Sequence, residues 1–310
     1  MSIHRFLIAI TVLLGLILPR AALAVQSAEL YRTQAYFYGR FEARIQFAPG
    51  EGVVSSFFLW KDGSSSTTPW NELDFEKINA ACRLQTNIWT GMETQSAQIQ
   101  TPTFNVCESF HTYAFEWTPD YIAWFIDGTQ IRKVTGASVN EYTQNASQGM
   151  AMHFNVWVGN ASFGGTLDPS ILPVHQYISW AQYSSYADGA FQLQWREEFD
   201  GATVPSGFAV GDWASPYNLS THNPANVGFV DGIAVLSMTA DGATDDPGTP
   251  PVDSPDAGTD GGVIVPGQTG GGGCGCRTGG GTGNASVVAM LVLAACLRRR
   301  RGRPEARPQG

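Results

Sequence analysis

From Glu29 to Ala240 apolar and polar residues alternate one by one, the period of a half-buried β-strand. In "YGRFEARIQFAP", Phe41, Ala43, Ile45 and Phe47 fall on one face, and Glu42, Arg44 and Gln46 on the other. "HTYAFEWTPDYIAWFIDGTQIRKV" alternates through Tyr113, Phe115 and Trp117 and turns at Pro-Asp. It then alternates through Ile122, Trp124 and Ile126 and turns again at Asp127-Gly128. "GIAVLSMTA" reads as one more strand. Short β-branched or aromatic runs bounded by such turns are hairpin signals. No stretch carries a sustained helical period. The pattern predicts an all-β domain over residues 25–240, with two packed sheets forming a β-sandwich.

One strand breaks the ordinary economy of alternation. "TPWNELDFEKIN" places Glu72, Asp74 and Glu76 on one face and Leu73 and Phe75 on the other, beside Trp70. Three like charges in a row repel, and a strand built only to fold would intersperse lysines. The bland reading is a solvated sheet edge, but the flanks are aromatic rather than lysine-rich. Paired carboxylates suit glycoside hydrolysis, in which one is the ionised nucleophile and the other the protonated acid. A charged neighbour raises a carboxyl pKa and helps hold that proton.

The ends of the chain read as addresses. "MSIHRFLIAITVLLGLILPRAALA" has Arg5, an apolar run and Ala22-Leu23-Ala24, the pattern of a secretory signal peptide over residues 1–24. Residues 241–273 are rich in Pro, Gly and Asp and read as a flexible linker. Residues 274–310 hold Cys274-Gly-Cys276, the apolar "ASVVAMLVLAACL" and an Arg cluster. That apolar run is shorter than the ~20 residues a bilayer helix needs. The segment resembles the myxobacterial C-terminal sorting signal, which implies secretion and display at the cell surface. A plain membrane anchor is the alternative. Of the five cysteines, only Cys82 and Cys107 lie in the presumed domain; in an exported protein they either pair or stay as buried thiols.

The formal net charge of −9 argues against a nucleic-acid partner, which needs a basic face. Nine tryptophans suit a core, yet Trp60, Trp70, Trp89, Trp157 and Trp213 sit beside polar residues, as rings lining a sugar groove do. No two of the five histidines have metal-ligand spacing on one element, and no dinucleotide or phosphate-binding fingerprint occurs.

Glu-x-Asp-x-Glu after a tryptophan resembles the signature of glycoside hydrolase family 16, the laminarinase and lichenase group. "GRFEARIQFAPGEGVVSSFFLW", "LQTNIWTG" and "MHFNVWVGN" look like strands flanking that signature. The segment from Phe199 to Ala240 resembles one that ordinary members carry ahead of the catalytic strand. The order is therefore that of a circular permutant. The resemblance implies a jelly-roll sandwich of the concanavalin A type with a concave sheet as substrate cleft. It also implies retaining hydrolysis of 1,3-1,4-β-glucan (lichenan). By resemblance Glu72 is the nucleophile, Glu76 the acid/base and Asp74 the assisting aspartate. Phe58, Trp60, Trp70, Gln85, Asn87, Asn155, Trp157 and Trp213 match substrate-binding positions. Asp62, His153, Phe163 and Val210 depart from the permuted pattern, which has asparagine, arginine, tryptophan and lysine there. A structural calcium, implied by resemblance alone, would involve Ser179, Glu198 and the backbone of Gly232. No cofactor is required for the chemistry, and a monomer is expected. The other readings are a β-1,3-glucanase or other β-glycanase of the family, and a surface protein that binds glycan without cleaving it.

Overall fold

The computed structural model describes residues 25–65, 67–91, 94–241 and 249–253. The chain divides into two units, Met1–Gly262 and Val263–Gly310. The second unit, the proposed signal peptide and most of the proposed linker lie outside the described residues.

The described residues form seventeen strands and one helix: β1 (Val25–Arg32), β2 (Gly39–Gln46), β3 (Val53–Trp60), β4 (Glu72–Ile78), β5 (Arg83–Thr90), β6 (Thr94–Gln95), β7 (Gln98–Gln100), β8 (His111–Trp117), β9 (Tyr121–Ile126), β10 (Thr129–Thr135), α1 (Ala137–Asn145), β11 (Ala151–Val158), β12 (Val174–Ala187), β13 (Ala190–Glu197), β14 (Phe208–Val210), β15 (Ser220–His222), β16 (Val227–Val230) and β17 (Ile233–Ala240). Pairing sorts them into two layers. A front sheet runs β14–β1–β11–β3–β4–β5, with β6 and β7 on the outer edge of β5. A back sheet runs β10–β9–β8–β2–β12. The far edge of β12 is shared by β17 and β13, and β16 pairs with β17. The all-β sandwich predicted from alternation is the observed architecture.

The two inner faces meet in an aromatic core. Phe57, Phe75 and Phe154 from the front sheet and Tyr113, Phe115 and Trp124 from the back are fully buried. Phe57 and Phe75 pack on Phe115 at ring separations of 4.9 and 4.8 Å. Burying such side chains stabilises by roughly 1.5–3 kcal/mol each. The β9–β10 hairpin turns at Asp127-Gly128, both with positive φ (47° and 74°), as the Asp-Gly pair predicts.

Three features differ from, or add to, the sequence reading. The helix α1 has no apolar stripe: only Val139 and Tyr142 are buried, and its N-cap Gly136 offers no side chain. Its order comes from tertiary cover, for which no local signal exists. Lys77 occupies a core-facing position of β4 and is fully buried. Its Nζ donates to the carbonyls of Gly50 (2.8 Å) and Val53 (3.0 Å), and burial lowers its pKa to about 7. Finally, residues 249–253, inside the expected linker, lie against the back sheet. Pro250 is buried, and Asp253 accepts from Arg44 Nε at 2.8 Å. Cys82 and Cys107 are disulfide-bonded.

Candidate active site

Strand alternation sends Leu73 and Phe75 of β4 into the core, so Glu72, Asp74 and Glu76 must face outward from the front sheet. Register builds three parallel rows across that face. Glu72 lies between Trp60 and Trp89, with Ala151 beyond Trp60. Asp74 lies in the row Tyr31–His153–Phe58–Asp74–Asn87. Glu76 lies in the row Glu29–Asn155–Ser56–Glu76–Gln85. Residues from five strands and four chain segments thus converge on one surface.

The three acids have distinct surroundings. Glu72 accepts a 2.6 Å hydrogen bond from Trp70 Nε1, and its interaction with Asp74 also favours the ionised form. Glu76 accepts from Gln85 Nε2 at 3.1 Å. Burial pushes Glu72 up to about 7; Trp70 and Asp74 oppose that rise and the field of Glu29 adds to it. Burial, then the charge of Glu72, pushes Glu76 up to about 8. Asp74 is raised well above the ordinary carboxyl value, by burial first and then by the charges of Glu72 and Glu76. All three acids are thus held above the ordinary carboxyl range, burial being the largest cause for each. Beneath them the indole of Trp124 donates to the Asp74 carbonyl at 3.1 Å. The Arg132 guanidinium stacks on that indole at 4.5 Å and bonds the carbonyls of Thr86 and Ser96. It clamps β10 to the edge of the site sheet.

Aromatic rings frame the acids. Trp70 stacks on Trp89 at 4.9 Å and meets Trp60 edge-on at 5.4 Å. Phe58 packs on His153 at 4.9 Å. Trp213 is 43% exposed and tilts against Tyr31 at 5.6 Å. Trp157 is 4% exposed, wedged among Val54, Ile78 and Phe163, so it shapes the wall more than it offers an open ring. Asn155 is buried and its Oδ1 has no partner, as is true of Asp74 Oδ2; both are acceptors awaiting a donor. Asn87 Nδ2 contacts Gln95 at 3.4 Å. The wall loop is itself pinned from below. Gly52 N donates to Gly164 O, and Gly159 N to Gly52 O. A Cβ on Gly52 would lie 2.1 Å from Leu167 N, so only glycine permits that approach.

Sequence reasoning passed over Glu29, Tyr31 and His222 as site residues, although "SAELYR" alternates in the same way as the acid strand. Glu29 accepts from His153 Nδ1 at 2.8 Å, and His222 Nε2 lies 3.3 Å from its other oxygen. Trp89 was legible as a groove aromatic and lies beside Glu72.

Of the residues expected around calcium, Glu198 and Gly232 lie close together, and the Glu198 carboxylate pairs with Arg196. Asp200 Oδ1 and the Glu198 carbonyl are the oxygens nearest Gly232. Among the described residues no group of three or more His, Cys, Asp or Glu could hold a metal ion. No helix there is long and apolar enough to cross a membrane.

The family model for glycosyl hydrolases family 16 matches residues 14–185. The chain is 35% identical over 228 residues to a β-glucanase of Fibrobacter succinogenes, covering 69% of this chain and 64% of that protein. It is 32% identical over 161 residues to a β-glucanase of Brevibacillus brevis, covering 51% of this chain and 60% of that one. The chain spans less than two thirds of the length of these curated relatives. The solved β-glucanase of Bacillus licheniformis superposes with a TM-score of 0.43 at 26% identity, covering 53% of this chain and 78% of that chain. The matched span contains all three rows' strands β3, β4, β5 and β11 with the acid line intact, and the chain belongs to glycosyl hydrolase family 16.

Proposed function

We propose that this protein is an exported, retaining endo-β-glucanase acting on mixed-linkage 1,3-1,4-β-glucan. The observation that carries the reading is the line of three carboxyls on one strand face, the outer two each given a donor. Trp70 donates to Glu72, Gln85 donates to Glu76, and Asp74 stands between them on the same face. The relatives named β-glucanase support the substrate class.

The Glu72 carboxylate attacks the anomeric carbon as the bond to the leaving oxygen breaks, and Glu76 gives that oxygen its proton. Asp74 and Trp70 hold the Glu72 carboxylate in place, and the Trp70 donor spreads its charge. Water then attacks the same carbon, passes a proton to Glu76 and frees Glu72, so configuration is retained and both acids are restored. Aromatic rings at Trp60, Trp70 and Trp89 cover the apolar faces of glucose units, while Asn155 and Asn87 bond their edges. The segment order, with residues 199–240 following the acid strand, fits a circular permutant. Residues 274–310 fit a sorting signal that would display the enzyme at the cell surface.

The test is product analysis with the full chain on lichenan and, separately, laminarin, following anomeric configuration by NMR. β-Configured oligosaccharides from lichenan alone are the expected result. Comparable cleavage of laminarin moves the assignment to a broader β-glucanase. Inverted product at the first time point overturns the double-displacement mechanism.

A further inference from the structure

The rows on the front sheet carry four carboxyls, Glu29, Glu72, Asp74 and Glu76, and no lysine or arginine. Glu29 is 5% exposed and sits three strands from the acid strand, in the row of Glu76. Two imidazoles bracket it. His153 Nδ1 lies 2.8 Å from one oxygen and His222 Nε2 lies 3.3 Å from the other. His222 Nδ1 is in turn 3.1 Å from Ser27 Oγ. A carboxylate accepts only, so the His153 imidazole carries a proton on Nδ1, the nitrogen facing Glu29. In the neutral ring that leaves Nε2 a bare acceptor.

Nothing else uses that acceptor. No described protein group bonds His153 Nε2, and it is not among the buried, unpartnered side-chain atoms, so it reaches solvent. The ring is held flat by Tyr31, stacked at 5.1 Å and 8°, and by Phe58 at 4.9 Å. It stands in the row of Asp74, one strand beyond Phe58. Gly211 closes the arrangement from outside: a Cβ there would meet Glu29 Cβ at 3.1 Å and His222 Cβ at 3.4 Å.

We infer that Glu29 is a positioning residue that sets the tautomer of His153, making its Nε2 a hydrogen-bond acceptor for a sugar hydroxyl and restricting this site to neutral glucans. The inference rests on the glucanase reading and deepens it. A hydroxyl donor satisfies the imidazole nitrogen. An anionic substituent meets a lone pair there and four carboxyls across rows that hold no cationic side chain of their own.

The first measurement is the tautomer of His153 in the full chain at pH 8, from two-bond ¹⁵N–¹H correlations. A protonated Nδ1 and bare Nε2 in the wild type, lost in Glu29→Leu, is the expected result. The Nε2–H tautomer in the wild type overturns the inference whatever the enzyme cleaves. The second is kinetic, on lichenan and on carboxymethylated lichenan. Glu29→Leu should raise KM on lichenan about five- to tenfold, the worth of one hydrogen bond, while kcat changes less. His153→Arg should gain on the carboxymethylated polymer relative to lichenan. Equal wild-type turnover of both polymers overturns the selectivity. If the wild type cleaves no neutral glucan, the glucanase reading fails instead, and the tautomer still decides the role of Glu29.

Discussion

The two sheets carry acids on their outer faces and treat them in opposite ways. On the back sheet Arg40 bridges Glu42 at 2.8 Å and Glu116 at 2.6 Å. Gln182 donates to Glu42 and Tyr121 to Glu116. Each carboxylate there has a cation and a neutral donor. On the front sheet Glu72 and Glu76 have neutral donors only, and their pKa values rise to about 7 and about 8. One face is arranged to hold charge quietly; the other holds protons that can be moved. The difference teaches that a like-charged strand becomes informative when its neighbours withhold the compensating cation.

The comparison can be broken most severely at the acids. Glu72→Gln and Glu76→Gln should each lower kcat on lichenan by at least about a thousandfold, with the fold retained by circular dichroism. External azide should restore part of the Glu76→Gln activity if that residue only protonates and deprotonates.

Stability against pH is the next lever. The folded state holds the Glu72 and Glu76 protons more tightly than an unfolded carboxyl of ordinary pKa 4.5. Unfolding therefore releases protons, and wild-type stability falls as pH rises from about 4.5 to about 8. Glu76→Gln should unfold at a higher denaturant midpoint than wild type at pH 8.5, by roughly 1–3 kcal/mol, with the gain shrinking towards pH 4. A midpoint difference that is the same at both pH values would contradict the assigned shift.

On the back sheet the sign reverses. Arg40→Ala leaves Glu42 and Glu116 without their cation and should cost about 1–3 kcal/mol at pH 7, with kcat within a factor of two. Thermal unfolding alongside steady-state kinetics checks both halves. The smallest effect is a tuning one. Trp70→Phe removes the Nε1 donor that holds Glu72 down, so the acidic limb of the pH–rate profile should move up by about half to one unit.

Much of this was legible along the chain because alternation is local. Phe41 to Phe47, the acid line and the Asp127-Gly128 turn each announce themselves within a few residues. The Cys82–Cys107 bond joins residues 25 apart and was open as a pairing from count alone. The imidazole bracket around Glu29 was not legible. Its members are 124 and 193 residues apart and meet only through the β1 pairings with β11 and with β15. Lys77 was equally hidden, because its partners are the carbonyls of a turn, and carbonyls leave no mark on composition. The helix α1 owes its place to what covers it rather than to its own residues.

The contact between Asp253 and Arg44 has a consequence for how the molecule would work when held on a support. Arg44 projects from β2 on the sheet opposite the acid line, so Asp253 is held at the rear of the sandwich. A bead coupled at that position would sit behind the acids. A long polymer could then thread across them without meeting the support.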